Sequence, residues 1–168
     1  MILVRHTRVA AAPGLCYGRT DVPLAATFAD EAAAIRRQLP PCLGLVCASP
    51  AQRCRQLADT LGAVEIRVDP RLQELDFGAW ENRLWSDLPR AEVDPWAADY
   101  VDLAPPGGET FRALAARVDA FRRDLRSPEA VIVTHGGVIR AWLSLAAHQP
   151  LSESFAREVP YGACLPVP

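Results

Sequence analysis

The sequence has no lysine; all eighteen of its basic residues are arginine. That absence excludes Schiff-base chemistry on a protein lysine, and it excludes a P-loop lysine. What remains is the planar guanidinium, whose fork suits bidentate binding of phosphate. Histidine is scarce, three in 168 residues. Long hydrophobic runs are missing, and nothing approaches the roughly 20 apolar residues of a transmembrane helix. The five cysteines are odd in number and follow no secretion signal, so a reducing, cytoplasmic setting is expected. Cys42, Cys47 and Cys54 match no usual zinc spacing. Packing is their expected role, and no metal or cofactor is expected. A net charge of −2 gives no reason to expect nucleic acid or an anionic membrane as partner. Composition leaves the oligomeric state open.

The length of 168 residues fits one domain over 1–168. Such a domain buries roughly 70% of the surface its unfolded chain exposes, so it needs no disulfide staples. The chain opens on an apolar run, Ile2-Leu3-Val4, that ends in Arg5-His6-Thr7. Short aliphatic runs of this kind read as buried strands of a parallel sheet. A second run, Val131-Ile132-Val133-Thr134, ends in His135-Gly136-Gly137. Two strands would thus deliver two of the three histidines to one sheet edge, where open α/β sheets bind ligands. Two imidazoles beside an arginine make a site for an anion, with phosphate the first expectation.

Between these strands the pattern alternates. A helix is expected from about Ala26 to Leu39, stopped by Pro40-Pro41. Gly44–Ala48 reads as a strand, and Ser49-Pro50 as the start of a helix that ends at Gly62. Arg53 in its first turns reaches the same edge as Arg5, whereas Arg55 points to the surface. Glu65–Val68 reads as a strand near an edge, and Glu74 follows it. Residues 78–108 differ in character. They hold Trp80, Trp85 and Trp96 with several prolines and acids, and read as a short helical cap over the site. Glu109–Arg126 is the clearest helix, with its acid at the start and arginines at the end. Gly137 opens another helix, to about Ala147. The tail from Tyr161 reads as an edge strand despite Pro166 and Pro168. The fold expected is a three-layer α/β/α sandwich around a mostly parallel sheet.

Arg5, His6, Arg53, Glu74 and His135 can converge on one site. Guanidiniums and one imidazole would hold a phosphoryl group, whose charge is spread over three oxygens. A neutral imidazole can attack phosphorus, and a carboxylic acid can protonate the leaving alkoxide. Like-charge repulsion from a bound phosphate favours the acid form of Glu74, so activity is expected at neutral to mildly acid pH. Glu81 and Glu109 are read as serving helix starts, and His148 as serving a helix end. The loop at Arg19-Thr20-Asp21 is read as supplying a substrate contact through Arg19.

Leu3-Val4-Arg5-His6-Thr7 resembles the signature of the histidine phosphatase (phosphoglycerate mutase-like) superfamily, whose usual form has glycine after the histidine. Ala48–Arg53, Leu72–Glu81 and Val133–Gly137 match further blocks in order. The resemblance implies His6 as the phosphorylated nucleophile, Arg5, Arg53 and His135 as the phosphate pocket, and Glu74 as proton donor. It implies no metal and no cofactor. The chain departs from the family where Thr7-Arg8 follow His6 and Ala12 falls near a phosphate-binding asparagine. Thr7, Arg8 or Arg19 are expected to compensate, with Gly136 as a further substrate contact. Gly14–Leu24 looks most like the α-ribazole-5′-phosphate phosphatase branch, which acts in cobalamin biosynthesis. The function implied is phosphomonoester hydrolysis on a small-molecule substrate. The alternatives are a broad small-metabolite or sugar-phosphate phosphatase, a phosphoprotein phosphatase, and, from another class, a catalytically silent anion-binding or regulatory protein. A mutase fits less well, because a short cap is poorly suited to excluding water.

Overall fold

The computed structural model describes residues 1–167; Pro168, which bears on the expected tail strand, lies outside them. Five strands form one sheet: β1 (Ile2–Arg5), β2 (Leu43–Ala48), β3 (Ala63–Val68), β4 (Val131–Thr134) and β5 (Cys164–Pro166). Their order is β3-β2-β4-β1-β5. The first four run parallel, and β5 lies antiparallel on β1. Five helices accompany them: α1 (Phe28–Gln38), α2 (Gln52–Thr60), α3 (Arg90–Ala98), α4 (Phe111–Asp124) and α5 (Gly136–Ala146).

The layers follow from strand alternation. Successive strand residues face opposite sides of a sheet. Leu3, Cys47 and Ile132 enter one apolar cluster with Leu114, Val118 and Phe121 of α4 and Val138, Ile139 and Trp142 of α5. Their neighbours Val4, Val46, Ala48, Val131 and Val133 enter another, with Ala32 and Ile35 of α1 and Leu57 of α2. The central strands are buried on both faces, which is why they read as unbroken aliphatic runs. On edge strand β3, Val64, Ile66 and Val68 are exposed. Cys47 and Cys54 sit in different clusters and Cys42 is exposed, so the three are not gathered. Burial pushes the Cys54 thiol up to about 12, as expected of a packed, inert cysteine.

Two helix starts differ from expectation. Ser49 does not cap α2: its N–H still bonds Val133 O at 3.0 Å, extending β2, and the helix begins at Gln52. Glu109 is not in the first turn of α4. Thr110 is the cap, its hydroxyl accepting from Ala113 N at 3.0 Å. The cap region holds two 3-10 turns, Gly78–Trp80 and Trp85–Asp87, followed by α3. Trp80 is buried among Cys16, Leu88, Phe77, Trp85 and Trp96, a small core of its own. Hydrogen bonds from Cys16 N to Arg83 O (2.8 Å) and from Asn82 N to Cys16 O (2.9 Å) tie the loop after β1 to this cap.

Candidate active site

Arg5 pairs with Thr134 across β1 and β4, so His6 and His135 leave the sheet side by side. Their ring centroids are 5.2 Å apart. Both rings are buried, at 2% and 0% exposure. His6 Nδ1 lies 2.7 Å from the Thr7 carbonyl, which can only accept. Nδ1 therefore carries the proton and Nε2 keeps its lone pair. Burial, reinforced by the charges of Arg53 and Arg5 and opposed by the bond to Thr7, lowers the His6 pKa to about 3. The ring is neutral at ordinary pH.

His135 is held by Arg53 and Ser49, with Cys54 Sγ 3.6 Å from its Nε2. Arg53 Nη2 donates to its Nδ1 at 3.2 Å, and its Nε2 donates to Ser49 Oγ at 2.7 Å. Arginine cannot accept, which assigns the tautomer. Burial above all, with His6 and the surrounding arginines, lowers the His135 pKa well below the usual imidazole value.

Arg53 is fully buried on the first turn of α2. Its Nη1 donates to Thr20 O at 2.9 Å and its Nη2 to Gly18 O at 2.6 Å. Arg5 donates through Nη1 to Val159 O, and its guanidinium lies 3.9 Å over the Tyr161 ring. The Nε–H groups of Arg5 and Arg53 are buried without a protein acceptor. Leaving such a donor unpaired costs about 1–3 kcal/mol, more when it is charged. Both guanidiniums also line the cavity, where an oxyanion would meet their positive charge.

Glu74 approaches from a third side. Its Oε2 accepts from Gly137 N and its Oε1 from Leu75 N, both at 3.0 Å. A Cβ on Gly137 would lie 2.3 Å from Glu74 Oε1, so only glycine admits the carboxylate there.

All five residues of the expected constellation line one cavity: Arg5, His6, Arg53, Glu74 and His135. Leu15, Tyr17, Phe77, Trp85 and Tyr161 form the rest of its wall. The Tyr17 and Tyr161 hydroxyls share a 2.6 Å hydrogen bond, and burial raises the Tyr17 pKa.

The other expected contacts fall elsewhere. Arg8 is exposed and turns to Glu31, which accepts from its N–H at 2.9 Å. Arg19 pairs with Asp76 at 3.1 Å and Glu109 at 3.6 Å, two carboxylates that flank the cap on either side. Thr7 is buried with its hydroxyl unpartnered, and it does not line the cavity. Gly136 opens α5 beside Arg5: a Cβ there would lie 3.6 Å from Arg5 Nε and 2.9 Å from Arg140 Nη1. It too is absent from the cavity wall. Glu81 serves no helix start. It accepts from Arg19 N at 2.9 Å, from Thr20 N at 2.7 Å and from Thr20 Oγ1, fastening the loop whose carbonyls hold Arg53. His148 is exposed just beyond α5 at a positive φ of 53°, and it is its backbone N–H that bonds Leu145 O. Sequence reasoning missed Tyr17, Tyr161 and Ser49. For Ser49 a signal existed, since it follows a strand parallel to β4 and so leaves the sheet beside His135.

Comparison with known proteins accords with this geometry. The chain is 29% identical over 173 residues to an adenosylcobalamin/alpha-ribazole phosphatase of Salmonella typhimurium, covering 95% of this chain and 85% of that protein. It is 36% identical over 103 residues to a bifunctional protein of Mycobacterium tuberculosis, covering 56% of this chain and 26% of that protein. It thus spans about a quarter of the length of such mycobacterial relatives. The crystal structure of the alpha-ribazole phosphatase from Shigella flexneri superposes with a TM-score of 0.88 at 27% identity, covering 97% of this chain and 87% of that one. Residues 1–166 match the model of the histidine phosphatase superfamily (branch 1), and to that superfamily the chain belongs.

Proposed function

We propose that the chain hydrolyses phosphomonoesters through a phosphohistidine on His6, with α-ribazole 5′-phosphate as its preferred substrate. The observation that carries the mechanism is the buried, neutral His6 ring. Its Nδ1 is committed to Thr7 O, and its Nε2 lone pair is free on a cavity shared with two buried guanidiniums.

The reaction runs in two steps. The Nε2 lone pair forms an N–P bond while the P–O ester bond breaks, its electron pair leaving with the alkoxide oxygen. Arg5 and Arg53 hold the equatorial oxygens, and the acid form of Glu74 gives its proton to the leaving oxygen. Water then attacks phosphorus and gives its proton to Glu74, and the N–P pair returns to Nε2. His135, tied between Arg53 and Ser49, fixes the Arg53 guanidinium and borders the phosphoryl site. No step needs a metal or cofactor.

Substrate choice rests on the far wall. Phe77, Trp85, Tyr17 and Tyr161 offer aromatic surface beside the phosphate pocket, which suits a ring-bearing leaving group. The alpha-ribazole phosphatases among the relatives point the same way. The substrate is a small molecule. Five free cysteines fit a reducing compartment. Among the described residues no helix is long and apolar enough to cross a membrane.

The test is hydrolysis of a phosphomonoester panel containing α-ribazole 5′-phosphate, with His6→Ala as control. A strong kcat/KM preference for the ribazole ester, abolished in the control, is expected. Similar modest rates on many esters would replace that substrate by a broad small-metabolite one. Tight phosphate binding without turnover would make the chain a silent anion binder.

A further inference from the structure

Arg117 projects from α4 and lies outside the cavity wall, yet every donor it owns is used. A guanidinium has five N–H groups. Nε donates to Glu109 Oε1 at 2.8 Å, and Nη2 to Glu109 Oε2 at 2.9 Å. The other three bonds go to backbone carbonyls: Nη1 to Arg71 O (2.7 Å) and Gln73 O (2.6 Å), and Nη2 to Glu74 O (3.1 Å). Arg117 is 16% exposed and Glu109 13%.

The three carbonyls belong to the bend that carries Glu74. A 3-10 turn, Pro70–Leu72, gives way to extended backbone at Gln73, so these groups have no helical or sheet partner. Backbone acceptors left without secondary structure must find donors elsewhere. Arg117 supplies three at once, and Thr134 Oγ1 supplies a fourth to Leu72 O at 2.7 Å.

We infer that Arg117 is a positioning residue for the proton transfer: its fork fixes the 71–74 backbone so that the Glu74 carboxyl meets the leaving oxygen. This rests on the reading of Glu74 as proton donor. A displacement of about 1 Å in a catalytic group can cost on the order of 100-fold in rate. Lysine at this position would keep the charge but offers only three donors with no planar fork. Glu109 holds the other side of the guanidinium, and removing its charge would loosen the same fork.

The experiment compares kcat/KM on two esters that differ in their need for a proton. p-Nitrophenyl phosphate releases a stable phenolate as its leaving group; β-glycerol phosphate releases a strongly basic alkoxide. Arg117→Lys is expected to lose roughly 10- to 100-fold on the alkyl ester and little on the aryl ester. Glu109→Gln is expected to show a smaller loss with the same selectivity, and it serves as the test should Arg117→Lys not fold. Equal losses on both esters in these variants would mark a merely structural role, and no loss on either would show that the fork is dispensable; each overturns the inference. Glu74→Gln is run beside them. If it too loses equally on both esters, the proton-donor reading itself fails and the inference with it. A selective loss in Glu74→Gln beside an unselective one in Arg117→Lys overturns the positioning role alone.

Discussion

His6 is a buried base that must not charge. An imidazole in the unfolded chain titrates near 6.5, and in the fold His6 is lowered to about 3. Between those values the unfolded chain binds more protons, so stability rises with pH across this window and is lost as pH falls from 6.5 toward 3. A shift of this size corresponds to on the order of 5 kcal/mol for the one group. Urea unfolding at stepped pH values is expected to show this loss in wild type and a shallower one in His6→Asn, with His135 and the lowered carboxyls of Asp69, Glu81 and Asp102 supplying the remaining slope. Equal slopes would contradict it. Gly137 allows an independent test, because a Cβ there collides with Glu74 Oε1. Gly137→Ala is expected to cut kcat by roughly 10- to 100-fold on alkyl phosphates with the fold retained, as circular dichroism and steady-state kinetics would check. At this scale, how much the sequence revealed depended on reach. His6 and His135 were found because each directly extends a strand. The ion pairs of Arg8 and Arg19 were hidden, because closeness along the chain to a site does not say which carboxylate lies nearest in space. Glu31, Asp76 and Glu109 decided that.

Among elements, the loop after β1 and the cap act together. Glu81, from the cap, holds the backbone of Arg19 and Thr20, and the Gly18 and Thr20 carbonyls hold Arg53. A Cβ on Gly18 would lie 1.9 Å from Leu75 O, so loop and Glu74 segment touch backbone to backbone. Glu81→Gln is therefore expected to weaken orthophosphate binding by roughly tenfold, about 1.4 kcal/mol, measured as product inhibition. Unchanged inhibition would separate the loop from Arg53. Two cap tryptophans should behave differently. Trp80 is buried at 1% exposure, with its Nε1 donating to Glu92 Oε2 at 2.9 Å. Trp80→Ala is expected to cost about 3–5 kcal/mol of stability in denaturant unfolding. Trp85 lines the cavity, so Trp85→Ala is expected to raise KM for a ring-bearing ester more than for glycerol phosphate. Composition marked 78–108 as a unit, since aromatics and prolines cluster there. Which tryptophan faced the cavity was hidden, because the turns have no single period to assign faces.

For the molecule as a whole, strand alternation and parallel order did most of the placing. β1 and β4 are adjacent and in register, and β2 flanks β4, so residues 6, 49 and 135 meet at one edge without any long-range signal in the sequence. The three aliphatic runs of β1, β2 and β4 were legible because central parallel strands are buried on both faces. The tail strand was legible as an edge despite its prolines, since β5 pairs with β1 alone. What stayed hidden was the support behind the site. Arg117, Glu109 and Tyr161 reach it from helix and tail by tertiary contact, and nothing local in their surroundings announces it.

The proposed mechanism requires a covalent bond at His6. Rapid acid-free quenching of the enzyme with a radiolabelled phosphomonoester, followed by peptide mapping, reads it directly. A base-stable, acid-labile phosphoryl group on His6 that forms and decays at the turnover rate, absent in His6→Ala, is the predicted result. Turnover in wild type with no such adduct, or continued turnover in His6→Ala, would contradict the mechanism.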